Sequence, residues 1–176
     1  NFARENGLTV KAWGAGHSFS SIAATEGLHV DVGALSGIVA VDGTRVTLGA
    51  GTNLYELPAL LGPLGLALTN MGDIDRQTIA GAISTGTHGT GARFGGIATQ
   101  VRGVTLVTAA GEVLRITATE NPELLAAAAL SLGALGILVE VTLECVPTFL
   151  LHAVERPEPA ETVLAEWLQR SAETDH

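Results

Sequence analysis

Apolar residues in this chain come in short runs, each closed by glycine, proline or a small polar cluster. Leu8-Thr9-Val10-Lys11-Ala12-Trp13 predicts a buried strand running into the turn Gly14-Ala15-Gly16-His17-Ser18, and Gly27 to Val32 predicts a second short strand. Gly37 to Val41 and Arg45 to Leu48 flank Asp42-Gly43-Thr44, where Asp-Gly supplies the positive φ angles of a tight hairpin. Leu54, Leu57, Leu60 and Leu61 fall on one face of a helix for which Asn53 is the N-cap. Leu66 to Asn70 reads as another extended run. Thr78 then caps a small-residue helix that leads into a loop of Gly, Ser, Thr and His, ending Gly86-Thr87-His88-Gly89-Thr90-Gly91.

Further on, Val104 to Thr108 and Val113 to Thr117 predict a hairpin across Ala110-Gly111, and Asn121-Pro122 opens a helix with proline in its first turn. Ile137 to Val146 alternates with its odd positions apolar, the pattern of a half-buried strand, and Pro147 ends it. Phe149 to Val154 reads as the first strand of a new unit. Ala160 to Ala172 follows as an amphipathic helix carrying Val163, Leu164, Trp167 and Leu168 on one side. At the other end, Asn1 to Gly7 resembles the last turns of a helix closed by a glycine, which implies that a further segment precedes it. Hairpins and helical connections in mixed order predict an α+β fold rather than a regular doubly wound one.

Composition narrows the partners. With 47% apolar and only 15% charged residues in 176, a packed core is assured and disorder excluded. A net charge of -9 and no clustered Lys or Arg argue against nucleic acid. Cys145 is the only cysteine, so no intramolecular disulfide exists, and its place at the end of an apolar run predicts a small core residue. No apolar stretch reaches membrane-spanning length and no signal peptide opens the sequence, so a cytoplasmic location is the expectation. The five histidines, Cys145 and the acids show no metal-ligand spacing.

The candidate chemistry lies in the two glycine-rich loops. Gly14 and Gly16 let the backbone approach a ligand closely, and successive N–H groups in such a turn bind phosphate oxygens. The stretch is not a dinucleotide fingerprint, because Phe19 takes the third glycine position, and no Lys-Ser/Thr follows to make a Walker A loop. In isolation it fits a structural turn with a hydrogen-bonded histidine better than it fits an anion cradle. The second loop, Thr85 to Gly91, lacks side chains to pack. Its N–H groups and hydroxyls suit phosphate, ribose and the polar edge of a heteroaromatic ring.

Three segments together, Ala15-Gly16-His17-Ser18-Phe19-Ser20, Gly81 to Gly91, and Ser131-Leu132-Gly133-Ala134-Leu135-Gly136-Ile137, resemble the FAD-binding domain of the vanillyl-alcohol oxidase superfamily. Within it the sequence is most similar to the aldonolactone oxidases and dehydrogenases acting on gulono-, arabinono- and galactonolactone, over about residues 8–147.

The resemblance implies a two-lobed, PCMH-type α+β domain with FAD between the lobes. The FAD-binding domain then spans 1–147, its N-terminal part missing, and 148–176 begin a C-terminal substrate domain. Gly14, Ala15, Gly16, His17, Ser18 and Phe19 are expected at the cofactor, the loop wrapping the pyrophosphate. Thr85, Thr87, His88, Gly89, Thr90 and Gly91, with Ile97, Ala98, Thr99 and Gln100, are expected along the flavin, and Ile137 against the cofactor. His17 matches the histidine that in several relatives is bonded to the flavin 8α-methyl carbon, a bond suited to a neutral imidazole nucleophile.

His88 is expected to brace its loop, and His29 and His152 to be surface or packing residues. No catalytic acid or base is assigned within this chain; those belong to the missing domain, so the 176 residues alone should not turn over. The implied activity is oxidation of a hydroxyl of a sugar-derived lactone by hydride transfer to flavin N5, with reoxidation by O2 or another acceptor. Alternatives are a related alditol, sterol or cytokinin enzyme, or a non-catalytic FAD-binding module. The expected partner is a small sugar lactone or polyol, with no nucleic acid, no metal and no indicated membrane.

Overall fold

A computed structural model describes residues 2–175. The chain opens with one helical turn, α1 (Phe2–Glu5), closed by Gly7 at φ +62°. β1 (Val10–Trp13) and β2 (Leu28–Asp31) then pair in parallel, Lys11 opposite His29 and Trp13 opposite Asp31. β1 departs from the expectation of a buried strand: Val10, Ala12 and Trp13 are exposed, because only two strands pair here and one of their faces borders a cavity.

The Asp-Gly hairpin forms as β3 (Ile38–Asp42) and β4 (Arg45–Gly49), with Gly43 at φ +58°. Asn53 and Glu56 make a reciprocal capping box, followed by a 3₁₀ turn and the short helix α2 (Leu57–Leu61). Of the extended run at 66–70 only β5 (Leu66–Ala67) is a strand. Thr78 caps α3 (Ile79–Ser84), its hydroxyl oxygen accepting from the Gly81 N–H at 3.3 Å. The second hairpin is β6 (Val101–Val107) with β7 (Val113–Thr117). The proline-opened helix is a 3₁₀ turn leading into α4 (Leu125–Ala129). β8 (Ile137–Glu144) follows, then β9 (Val146–Pro147), which pairs with β5, and finally α5 (Ala160–Glu173).

β3, β4, β8, β6 and β7, in that order, form one antiparallel sheet. Val46, Leu48, Leu106, Ile116, Val141 and Leu143 point from its inner face into a core closed by Leu54, Leu57, Leu61, Ile79 and Ile83. The outer face is polar, where Thr47 meets Thr142 at 2.8 Å and Thr105 donates to Glu140 at 2.9 Å. Alternating burial thus fixes register, since a slip by one residue would exchange the two faces.

Two further expectations need correction. The odd-position pattern of β8 holds at Val141, Leu143 and Cys145, but at its start Leu138 is buried and Ile137 only half so. Thr105 pairs with Glu140 and Leu106 with Leu138, so Val139 is an extra residue that switches the phase, as a bulge does. Residues 149–154 form no strand. Phe149, Leu150, Leu151 and Val154 lie exposed with no partner strand among the described residues, and a lone strand leaves its backbone groups unpaired. α5 forms as expected, yet Leu164, Trp167 and Leu168 face away from the core. Glu158, Arg170 and Glu166 tie the helix to the preceding segment.

Candidate cofactor cavity

Between the β1–β2 pair on one side and α3, the β6–β7 turn and the start of β8 on the other lies a cavity of about 930 Å³. Glycine at three positions, two in the Gly14–Ser18 loop and one just before β8, shapes its wall. At Gly14 a Cβ would lie 2.5 Å from the Thr78 hydroxyl, so the loop rests directly on the capped end of α3. Gly16 takes φ +72° beneath the Trp13 ring. Gly136, at φ +148°, would put a Cβ 2.4 Å from the Val107 carbonyl oxygen. At Gly14 and Gly136 a side chain cannot be added without moving the wall, and at Gly16 the positive φ is what favours glycine.

Of the residues singled out from sequence, Gly14, Ala15, Gly16, His17, Ser18, Thr85 and Ile137 line this cavity. His17 is exposed, makes no hydrogen bond among the described residues, and also borders an adjoining hollow of about 620 Å³ that it shares with Phe19, Gln77, Thr85 and Leu132. Thr85 donates its hydroxyl to the Gly81 carbonyl at 2.9 Å.

The rest of the second loop lines neither hollow. Thr87 exchanges hydrogen bonds with the Gln77 side chain and its carbonyl accepts from Ile97 N–H at 2.9 Å. His88 Nδ1 donates to the Gly89 carbonyl at 2.8 Å, and Asn70 donates to the Thr90 carbonyl at 2.9 Å. Gly91, at φ +102°, packs on Phe94. Ile97 is buried, Ala98 packs against the core, Thr99 donates to the Gly96 carbonyl, and Gln100 spans Thr69 and Asn70. His29 borders the cavity, with Nε2 donating to the Ala23 carbonyl at 3.0 Å. His152 is exposed on an irregular segment, and His176 lies outside the described residues.

Sequence reasoning passed over Gln77, the Trp13 wall and the β6–β7 turn at Thr108, Ala109 and Gly111. Gln77 stands directly before the cap residue Thr78, the one signal that marked it; the hairpin turn carries none. Trp13 was visible only as an apolar residue, whereas its ring is 46% exposed and edge-on to His29 at 5.6 Å.

The charges around the cavity are asymmetric. The chain holds 18 Asp and Glu, yet none lines the cavity, while Arg4 and Lys11 both do. Arg45, Arg76, Arg93, Arg102, Arg156 and Arg170 all pair with carboxylates. Among the described residues that leaves only Arg4, Lys11 and Arg115 of the nine cations without an ion pair, and two of these three border the cavity. A large, partly apolar cleft with N–H-rich loops and uncompensated positive charge fits a long anionic ligand with an aromatic end.

A family model described as "FAD binding domain" matches residues 1–117. The chain belongs to the FAD-binding domain family. The domain is similar to L-gulonolactone oxidase of Scyliorhinus torazame, 41% identical over 93% of this chain and 38% of that protein. It is also similar to D-arabinono-1,4-lactone oxidase of Eremothecium gossypii, 39% identical over 94% of this chain and 32% of that protein. With L-gulono-1,4-lactone dehydrogenase of Mycobacterium tuberculosis it shares 44% identity over 85% of this chain and 35% of that protein. The chain therefore spans roughly a third of the length of these relatives. Among solved structures, a carbohydrate oxidase from Microdochium nivale superposes with a TM-score of 0.76 at 25% identity, covering 82% of this chain and 32% of that one. The expected α+β, FAD-binding architecture is the one found, and FAD is the domain's cofactor.

Proposed function

We propose that this domain holds FAD in the cavity behind the Gly14–Ser18 loop, for a flavin-dependent oxidation of a hydroxyl in a sugar-derived lactone. The observation that carries the reading is the cavity itself: glycine-walled, free of carboxylates and bordered by two unpaired cations in an acidic chain. FAD supplies a hydride acceptor when bound. The N–H groups of the Gly14–Ser18 loop bind the pyrophosphate, and the Thr85 hydroxyl and the backbone at Gly136–Ile137 fix the rest. His17 is the side chain assigned to carry a covalent bond to the flavin, because it stands free at the junction of the two hollows. The segment from Thr87 to Gln100 supports the flavin site as a rigid backing, bonded to Gln77 and Asn70. The cofactor domain ends at Pro147, where pairing of β9 with β5 closes the core, and residues 148–176 belong to the substrate-binding part.

Lactone chemistry is favoured by relatives at 39–44% identity that are named for lactones. The test is anaerobic mixing of the flavin-loaded, full-length protein with gulono- or arabinonolactone. Loss of the oxidised-flavin absorbance with a lactone and not with a sterol supports the reading; reduction by a sterol alone refutes the substrate class.

A further inference from the structure

We infer that Lys11 and Arg4 form a charged subsite that recognises the phosphate groups of the cofactor, an assignment that rests on the FAD reading above. A nest of N–H groups binds phosphate through partial charges only. A pyrophosphate carries two full negative charges, and this chain has a net charge of -9 that opposes their entry. Lys11 lies on β1, three residues before Gly14, so a strand rise of about 3.3 Å per residue puts its Cα roughly 10 Å from the loop. A lysine side chain spans much of that distance. In the parallel pair it sits beside His29, and its neighbour two residues on, Trp13, shares its face of the strand. Arg4 reaches the same cavity from α1.

Neither cation has an acidic partner among the described residues, although Glu5 follows Arg4 directly and Asp31 stands opposite Trp13. Asp31 instead accepts from the Gly33 N–H at 2.7 Å and does not border the cavity. Arg4 is exposed and Lys11 half-buried, so a ligand's phosphates can pair with both without displacing a protein carboxylate.

The test uses the full-length protein with His17→Ala as parent, so that binding stays reversible, stripped of flavin and titrated with FAD at low and high ionic strength. Lys11→Met and Arg4→Met should each weaken FAD about fivefold at low ionic strength, an effect set by Coulomb interaction at an intermediate effective dielectric. The loss should shrink at high ionic strength, where the Debye length falls to a few ångströms, about 3 Å at 1 M. Lys11→Arg should restore binding. Equal affinity of parent and double variant overturns the subsite while leaving the FAD reading intact. A loss that is the same at both ionic strengths also overturns it, because that marks altered packing. Failure of the folded parent to bind FAD at all removes the FAD reading, and this assignment with it.

Discussion

Gly14→Ala tests how tightly the first loop is set against α3. A Cβ at residue 14 would lie 2.5 Å from the Thr78 hydroxyl oxygen, about an ångström inside ordinary contact. Thr78 is 4% exposed and its oxygen caps the Gly81 N–H, so it cannot swing away without losing that bond. Overpacking of this kind costs about 1–3 kcal/mol, and loss of a threonine cap costs about 1 kcal/mol. We expect about 2 kcal/mol for Gly14→Ala and about 1 kcal/mol for Thr78→Ala. The double variant should lose about 1–1.5 kcal/mol rather than their sum, because removing the hydroxyl makes room for the new methyl. For a domain of this size 2 kcal/mol lowers Tm by roughly 4–8 °C. Urea unfolding of the four proteins, followed by circular dichroism, measures the cycle. Additive losses, or a neutral Gly14→Ala, would show that the loop does not rest on Thr78 as described.

Three further outcomes follow from the same geometry. Gly136→Ala meets the Val107 carbonyl at 2.4 Å as well as the Leu106 side chain and is held at φ +148°, so truncating Leu106 should rescue neither its stability nor its FAD binding. Hydrogen bonds from Arg170 and Arg156 hold the Glu158 carboxyl at about 2, below the ordinary value near 4.3. A lowered folded-state value means that its support of α5 is complete above the ordinary value and is lost as pH falls toward about 2. Trp167 fluorescence in a Trp13→Phe background should therefore change across that window, and Glu158→Gln should flatten the change; identical titrations would refute the link. Burial, with a smaller contribution from Glu144, pushes the Cys145 thiol up to about 11. A thiol reagent near pH 8 should label it only as the protein unfolds, at a rate that follows urea-induced opening.

The hairpins were legible because Asp42-Gly43 and Ala110-Gly111 sit between alternating runs, and the caps because Asn53 and Thr78 stand just before apolar periodicity. The phase switch in β8 was not, since a bulge at Val139 is a property of pairing with β6 and leaves no mark on the strand's own alternation. Phe149 to Val154 has strand composition, but a strand exists only with a partner, and none is within reach among the described residues. At the cavity, Gly14 to Ser18 were readable from the glycines of their turn, Thr85 from a loop with no side chains to pack, and Ile137 only through the family resemblance. Trp13, Gln77, Lys11 and Arg4 were not, because their meeting depends on how β1, α1 and the approach to α3 come together in space.

The most direct test of the account is acid precipitation of the full-length protein, followed by a search for flavin fluorescence in the denatured pellet and the supernatant. The account predicts flavin that stays with the wild-type pellet and moves to the supernatant in His17→Ala. A folded protein that yields no flavin in either fraction would contradict it.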